Sequence, residues 1–292
     1  MKTFAAINVG SYEQTLKIYT ITKNNGIREV DWIRNRLDLG GTFATGKLSH
    51  EVMDELCAVL RNFVSIMEGY RVDDYRACAT SAIRETKNTA IVLDQIMQRT
   101  GVKLDVLSNS EQRFLDYKSI ASRGGFEKII EKGTLVLDIG GGSIQMSLFD
   151  KDKLSATQNM RLGVLRLQEK MSRLNVRPSE NGPLLEELLE AQLSVFRKMY
   201  LKDRVIENII VVDDYISALI LGKLGKVAGS GYLDRDSMAS YMNYLHDHTD
   251  MEIVRYFDTP EENVPLLRIS SAIVRQVALM TDAKMIWAPG VS

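Results

Sequence analysis

The residues best suited to chemistry lie in the stretch GTLVLDIGGGSIQMSLF, residues 133–149. An apolar run ends at Asp138, and the glycine-rich turn GGGS, residues 140–143, precedes a second strand-like run. Three successive glycines carry no side chains, so a ligand can approach the backbone closely. Bare N–H groups in such a turn can hold phosphate oxygens, and an aspartate at a strand end can hold Mg²⁺ or a water beside them. A tight β-turn capped by Asp138 is the alternative interpretation.

Composition and charge narrow the classes of protein to which the chain can belong. It has 292 residues, 45% of them hydrophobic and 26% charged, as in ordinary globular proteins. A net charge of −1 gives no overall attraction to nucleic acid or to an anionic membrane. Two cysteines, Cys57 and Cys78, provide no disulfide framework and suit a reducing compartment. Since neither a signal peptide nor a long apolar run is evident, we expect a cytoplasmic protein without nucleic-acid or membrane partners.

Hydrophobic periodicity predicts an α/β protein built from two copies of one lobe. The patterns predict the order β-β-β-α-β-α-β-α, and a second series of strands begins at Thr134. INVGS, residues 7–11, can be aligned with LDIGG, residues 137–141. Each stretch has, in order, an apolar residue, an Asn or Asp, a second apolar residue, a glycine and a small residue. The repeat predicts two lobes, residues 1–126 and 127–292, around a central cleft where a ligand would bind. After a strand near residues 208–212, the pattern is mainly helical to about Thr281.

Five motifs, in chain order, resemble those of one family. INVGS resembles its first phosphate loop, D-x-G-S-N-S, and VLDIGGGSIQM its second, D-I-G-G-G-S-T-E. ATSAIRET matches A-T-S-A-x-R-E, TGVKLDVLSNSEQRF resembles T-G-x-x-I-x-V-I-S-G-x-E-E-A-R, and MRLGVLRLQE resembles L-G-x-V-R-L. On these motifs the chain resembles the short, two-domain form of the Ppx/GppA family of exopolyphosphatases and guanosine pentaphosphate phosphohydrolases. The resemblance implies duplicated actin-like lobes (the ASKHA, ribonuclease H-like superfold) around a cleft.

The resemblance also implies chemical roles for individual residues. Asp138 would take part in catalysis and hold Mg²⁺, and a helical glutamate would deprotonate the attacking water. With Ser108 aligned on the serine of S-G-x-E-E-A-R, Glu111 falls on the first glutamate and Gln112 on the second, the catalytic one. A glutamine can orient a water but has no basic site near neutral pH. The residues implied in phosphate binding are Gly10, Ser11, Arg84, Gly140, Gly141, Gly142 and Ser143.

Other departures from the family motifs also indicate that hydrolysis is weak or lost. The aspartate of the first loop is Asn8, its asparagine is Tyr12, and the S-T-E of the second loop ends in Gln145. A third glycine-rich loop is absent after the strand near residues 208–212, where the pair Asp213-Asp214 stands instead. The two aspartates could bind a metal, but the lost glycines favour a cap on the following helix.

Two functions remain open. The first is a protein that binds a phosphate-rich ligand, polyphosphate or guanosine tetra- or pentaphosphate, with hydrolysis weak or lost because Gln112 replaces the base. The second is an active exopolyphosphatase or guanosine pentaphosphate phosphohydrolase that uses Mg²⁺, with Asp138 and Glu111 covering for Gln112. A kinase of the same superfold is less consistent, since no adenosine-binding glycine loop is visible. The lost residues favour the first function, for which a homodimer is one conceivable assembly.

Overall fold

The computed structural model describes residues 1–23, 26–174, 178–213, 215–216 and 231–290. By internal contacts the chain divides into two compact units, Met1–Gln112 and Arg113–Ser292. The division falls within a helix, ahead of the predicted boundary between residues 126 and 127, which stays a prediction.

The described residues of the first unit form a five-stranded mixed sheet. Its strands, in sheet order β3-β2-β1-β4-β5, are antiparallel up to β1 and parallel from β1 onward. In chain order they are β1 Lys2–Val9, β2 Glu13–Thr22, β3 Gly26–Arg36, β4 Asp74–Ala79 and β5 Leu104–Val106. The antiparallel hairpin brings β1 directly beside β4, so residues at the ends of both strands lie close together.

Four helices of the first unit, and a fifth that continues into the second, follow the described strands. They are α1 Gly41–Thr45, α2 His50–Gly69, α3 Ser81–Arg84, α4 Thr89–Thr100 and α5 Asn109–Ser122. Ser49 is the N-cap of α2, because its side chain accepts a hydrogen bond from the Val52 amide. Helix α2 buries Leu56, Leu60 and Phe63 completely in the core that it shares with the strands.

The described residues of the second unit form a six-stranded sheet in the order β10-β11-β9-β6-β7-β8. The strands are β6 Thr134–Ile139, β7 Ile144–Asp150, β8 Lys153–Met160, β9 Asn208–Val212, β10 Tyr232–Asp234 and β11 Met285–Trp287. The helices are α6 Phe126–Ile130, α7 Val164–Leu174, α8 Pro178–Phe196, α9 Arg235–Asp247, α10 Asp250–Phe257 and α11 Val264–Leu279. A π-helical turn, Arg197–Leu201, follows α8.

The two sheets repeat one design. The order β8-β7-β6-β9-β11 matches β3-β2-β1-β4-β5 in both sequence and strand direction, and β10 is an additional antiparallel edge strand. The register agrees residue by residue: Asn8 pairs with Thr15, and Asp138 pairs with Gln145. The predicted internal repeat is therefore confirmed, and each copy places its Asx residue near the end of a strand that has one parallel and one antiparallel neighbour.

The mainly helical pattern predicted to about Thr281 is confirmed by α9, α10 and α11, although the short strand Tyr232–Asp234 precedes them. This segment is too short to show a periodicity of its own, and its conformation comes from pairing with β11. The ring of Tyr232 stacks on that of Trp287, with centroids 5.4 Å apart. The helix predicted to follow the pair Asp213-Asp214 lies largely outside the described residues. The short helices α1, α3 and α6 were not predicted from the sequence.

Two further expectations concern cysteines and membrane spans. Cys57 and Cys78 are both free thiols, as their small number predicts. Within the described ranges, no helix combines the length and apolar character needed to cross a bilayer.

Candidate functional site

In the second glycine turn, between β6 and β7, the carbonyls accept hydrogen bonds, whereas two of the amides, those of Gly141 and Gly142, have no acceptor among the described residues. The Gly140 amide donates to the Ser143 carbonyl at 2.9 Å, which closes the turn. The carbonyls of Gly140 and Gly141 each accept a hydrogen bond of 3.0 Å from an amide at the start of α7, and Arg166 Nε donates to the Gly142 carbonyl at 2.8 Å. No described residue accepts a hydrogen bond from the amides of Gly141 and Gly142. The turn therefore has the polarity of an anion-binding nest.

Close packing, rather than unusual dihedral angles, explains the glycines around this turn. Gly140, Gly141 and Gly142 are not among the glycines with positive φ. A Cβ atom on Gly163, just before α7, would lie 2.3 Å from the Gly141 carbonyl oxygen. The backbone of the turn and the start of α7 can thus be in contact only because a side chain is missing.

The first glycine turn repeats the arrangement between β1 and β2. The Gly10 amide donates to the Glu13 carbonyl at 3.0 Å, and the Ser11 carbonyl accepts from Leu39 at 2.7 Å. The buried Gln14 side chain donates to the Gly10 carbonyl at 3.3 Å. The Ser11 hydroxyl is 2.9 Å from that of Ser81, at the start of α3. Helix α3, which carries the ATSAIRE motif, is therefore tied to the first turn.

Arg84, at the end of α3, is a half-buried guanidinium held in place by protein acceptors. Its Nη1 atom donates to the Leu107 carbonyl at 2.7 Å and, at 3.4 Å, to Oε1 of Gln112. A guanidinium has five N–H donors, and both of these hydrogen bonds use the Nη1 atom. The structure thus brings Arg84 together with Gln112, the residue at the position of the family's base.

Glu111, the other candidate for the base, has a structural role at the start of α5. Its carboxylate accepts a hydrogen bond of 2.8 Å from the Ser108 amide, while Ser108 Oγ accepts one of 3.2 Å from the Glu111 amide. This reciprocal pair is a capping box, which satisfies two amides that the helix leaves without partners. Hydrogen bonding to the backbone and to the side chain of Ser108 favours the ionised carboxylate and lowers the pKa of Glu111. The Glu111 carboxylate is exposed to solvent, and it is already engaged in the capping box.

Asp138, at the end of β6, has a polar environment that the motifs do not predict. Its Oδ2 atom accepts a hydrogen bond of 3.3 Å from Nε2 of Gln145. It also interacts with Asp116 on α5: burial raises the pKa of Asp116 to about 6, and a hydrogen bond with Asp138 limits that rise. Two carboxyl groups that share a hydrogen bond must share a proton, so they titrate as a pair.

Asp116 is the site residue that sequence reasoning missed. With Ser108 aligned as above, it lies two positions beyond the end of the S-G-x-E-E-A-R motif. The available signal was spacing: Gln112 and Asp116 are four residues apart on α5, and residues with this spacing share a helix face. Asp116 therefore provides a carboxylate one helical turn beyond position 112, where the family motif has a glutamate and this chain has a glutamine.

Asp213 lies in the cap arrangement predicted for it. Its two carboxylate oxygens accept hydrogen bonds from the amides of Tyr215 and Ile216, at 3.1 Å and 3.3 Å. Its neighbour Asp214 lies outside the described residues. Across the described ranges, no group of three or more His, Cys, Asp or Glu side chains is arranged to hold a metal ion.

A comparison with family models identifies the class of protein. The model of the Ppx/GppA phosphatase family matches residues 24–249, more than half of the chain. The chain belongs to this family, as the five motifs predict.

Named relatives include three bacterial proteins of about one-quarter identity. They are a bifunctional 3-dehydroquinate synthase/phosphatase of Fusobacterium nucleatum (24% identical, covering 57% of this chain and 26% of the relative), exopolyphosphatase 1 of Mycobacterium leprae (27%, covering 52% and 44%) and the guanosine-5'-triphosphate,3'-diphosphate pyrophosphatase of Photobacterium profundum (25%, covering 61% and 35%). In each case the match spans less than half of the relative's length.

Solved structures agree over almost the whole chain. An exopolyphosphatase from Cytophaga hutchinsonii superposes with a TM-score of 0.82 at 18% identity, covering 99% of this chain and 94% of that one. A Ppx/GppA family member from Aquifex aeolicus gives a TM-score of 0.74 at 19% identity, covering 98% and 93%. Together with the repeated sheets, this likeness confirms the predicted fold class, α/β with duplicated actin-like lobes.

The raised pKa of Asp116 predicts a pH-dependent cost of folding. Because the folded-state pKa of about 6 lies above the ordinary value of 3.8, the folded protein binds the proton more tightly, and the free energy of unfolding falls as the pH rises from about 4 to 6. Asp116→Asn removes this cost, so the variant should be more stable than wild type by roughly 1–3 kcal/mol at pH 7.5 and by little at pH 4. Urea unfolding at both pH values, in EDTA, measures the difference.

The matched control is Asp94→Asn, which removes one exposed aspartate from α4. A stability gap that is absent at pH 7.5, or that widens toward pH 4, would show that Asp116 is not held in the buried, proton-sharing state.

Proposed function

We propose that this protein binds a phosphate-rich ligand, polyphosphate or guanosine tetra- or pentaphosphate, and hydrolyses it weakly or not at all. The observation that carries the proposal is the second glycine turn, whose carbonyls are held by α7 and Arg166 while the Gly141 and Gly142 amides are bare. Amides arranged in this way can bind phosphate oxygens although the amides themselves carry no net charge. Such a local site agrees with an overall charge of only −1.

Arg84 supplies the positive charge in this proposal. It is half-buried and fixed on the Leu107 carbonyl, so less side-chain entropy is lost when a ligand binds. A guanidinium matches the geometry of two phosphate oxygens and forms charge-assisted hydrogen bonds to them. The names of two relatives, an exopolyphosphatase and a guanosine-5'-triphosphate,3'-diphosphate pyrophosphatase, refer to compounds that present such groups.

The weakness of hydrolysis in this proposal follows from the occupants of the base position. Gln112 has no basic site, and its amide oxygen already accepts a hydrogen bond from Arg84. Glu111 is engaged in the capping box, and reaching the same place would break the hydrogen bond that its carboxylate accepts from the Ser108 amide. Neither side chain is therefore suited to take a proton from water.

An active exopolyphosphatase or guanosine pentaphosphate phosphohydrolase is the second candidate, and Asp116 favours it. The Asp116–Asp138 pair retains carboxylate chemistry next to the second turn, although Gln112 and Gln145 have none. In this candidate Asp138 would hold Mg²⁺, which would neutralise charge on the phosphate, while the turn amides and Arg84 would position it.

The first test is a calorimetric titration of polyphosphate and of guanosine pentaphosphate into wild type and Arg84→Ala. Charge-assisted hydrogen bonds contribute about 1.5–3 kcal/mol each, so we expect at least a tenfold loss of affinity in the variant. Arg61→Ala, which removes an exposed arginine from α2, is the matched control and should bind as wild type does. Circular dichroism and thermal unfolding verify that both variants fold.

Arg84→Lys keeps the charge but loses the planar fork, so an intermediate affinity would assign the effect to phosphate contact rather than to packing. No heat from either ligand with wild type, or equal affinity in wild type and Arg84→Ala, would refute the proposal.

The second test restores the carboxylate at the base position. A general base contributes about 10²–10⁴-fold to a hydrolytic rate, and Gln112→Glu changes side-chain volume very little. We expect a measurable rise in phosphate release from polyphosphate with Mg²⁺. The rise should fall short of the full factor, because Arg84 would pair with the new carboxylate and make it less basic. Adding Asn8→Asp should raise the rate further.

Glu111→Gln is the control that separates the two glutamate positions. It should leave phosphate release unchanged while lowering the free energy of unfolding, since it weakens the capping box. If wild type is already as fast as Gln112→Glu and Glu111→Gln abolishes that rate, Glu111 is the base and this part of the proposal is wrong.

A further inference from the structure

Strand β8 places Asn159 beside the second glycine turn. Residues that pair across antiparallel strands point to the same face of a sheet, and Asn159 pairs with Gln145 of β7. Ser143 lies two residues before Gln145 and therefore shares that face. The Nδ2 atom of Asn159 donates a hydrogen bond of 3.2 Å to Oγ of Ser143. Asn159 lies just before the MRLGVLRLQE motif, so none of the five motifs includes the residue that makes this contact.

The Ser143 hydroxyl is buried, with 9% of the residue exposed, and its proton has no acceptor among the described residues. A hydroxyl has one proton to donate and two lone pairs with which to accept. Because Asn159 donates to one of the lone pairs, the proton must point in another direction. A buried donor without an acceptor destabilises a fold, and an oxygen of a bound ligand would supply the acceptor that is missing.

The neighbours of this hydroxyl indicate which ligand suits it. The amides of Gly141 and Gly142, the two residues before Ser143, donate to no described residue. Three consecutive residues therefore have protons available, and the oxygens of one phosphate group can accept hydrogen bonds from such a set.

The direction of the hydrogen bond from Asn159 determines whether the hydroxyl can serve a ligand. A carboxamide can present either its NH₂ group or its carbonyl oxygen to a neighbour. If the oxygen faced Ser143, the hydroxyl would donate to Asn159, and its proton would not be available to a ligand. In the structure the NH₂ group faces Oγ, so the hydroxyl is kept as a donor.

We propose that Asn159 is a positioning residue that keeps the Ser143 hydroxyl as a hydrogen-bond donor for a phosphate oxygen. Asn159 acts only through Ser143 and does not itself contact the ligand. Its carboxamide is neutral, so it orients the hydroxyl without adding a charge next to the anion. The inference rests on the proposed function, because it concerns the same turn, and it adds to that turn a residue outside every motif of the family.

A double-mutant cycle tests this inference on the full chain. Tripolyphosphate is titrated by calorimetry into wild type, Asn159→Leu, Ser143→Ala and the double variant. Asn159→Leu keeps the branched shape of the side chain and removes the donor. Each single variant should bind about two- to tenfold more weakly, as expected for the loss of one hydrogen bond. The double variant should bind no more weakly than Ser143→Ala, because Asn159 has no effect once the hydroxyl is absent.

Asn159→Asp tests the direction of the hydrogen bond. An ionised carboxylate can only accept, so it would take the Ser143 proton away from the ligand and also repel the anion. The loss of affinity should therefore exceed that in Asn159→Leu. The same substitution in the Ser143→Ala background measures the repulsion alone, and the loss there should be smaller.

Ser155→Ala is the control, because it removes an exposed hydroxyl from the same strand and should bind as wild type does. Thermal unfolding of every variant verifies that it is folded. A purely structural role of Asn159 would lower the melting temperature but would leave no coupling between positions 143 and 159 in the affinities.

Equal affinities in wild type and Asn159→Leu would overturn the inference, as would losses that simply add in the double variant. Either result, with tripolyphosphate bound by wild type, would retain the proposed function and reject the role of Asn159. No binding of tripolyphosphate or of guanosine pentaphosphate to wild type would reject the proposed function and this inference together.

Discussion

The hydrogen bonds between the second glycine turn and the start of α7 are the interaction on which the proposed site depends. The turn must present its amides outward, and it can do so only if its carbonyls have donors elsewhere. The first amides of α7 are such donors, because the start of a helix leaves its N–H groups without partners inside the helix. One contact thus satisfies the carbonyls of Gly140 and Gly141 and caps α7. Gly163 permits the approach, since any side chain there would overlap with the turn.

Within each unit, the chain has kept residues that the family motifs use to hold phosphate and has lost carboxylates that those motifs carry. Ser11, Arg84 and the glycines are retained, and each makes hydrogen bonds to the protein around it. Glutamines stand where the family motifs have glutamates, at positions 112 and 145, and each makes a hydrogen bond that stabilises the local structure. This difference is the basis of the proposal that the protein binds a phosphate-rich ligand, and the remaining carboxylates, Asp116 and Asp138, are the basis of the second candidate function.

The sequence allowed the repeated fold to be predicted because its signals are local and occur twice. The strand-Asx-glycine pattern around Asn8 recurs around Asp138, and the side-chain alternation of the strands fixes the register. The cap on Asp213 was predictable for the same reason, since a carboxylate before a helix needs only its own backbone neighbours. Strand β10 was not predictable, because its three residues are extended only through pairing with β11.

For the candidate site, the limit of prediction lies in contacts between distant parts of the chain. The meeting of Asp116 with Asp138 requires α5 to pack on the sheet of the second unit, and no motif spans those two residues. The capping role of Glu111 was legible in the S-x-x-E spacing from Ser108, yet the alignment with the family motif directed attention to catalysis instead. Motif matching indicates which residues are candidates for the functional site, and the hydrogen bonds show which of these side chains already have a structural role.

The most direct test of the central claim is to observe the turn amides themselves by nuclear magnetic resonance. In ¹⁵N–¹H spectra of the isotope-labelled chain, titration with a short polyphosphate should shift the amide resonances of Gly141 and Gly142, with those of Gly124 and Gly125 as internal controls that should not move. Saturable shifts confined to the turn and its neighbours are the expected result. Unchanged turn amides at a polyphosphate concentration that saturates binding would contradict the account, because the ligand would then be held somewhere else.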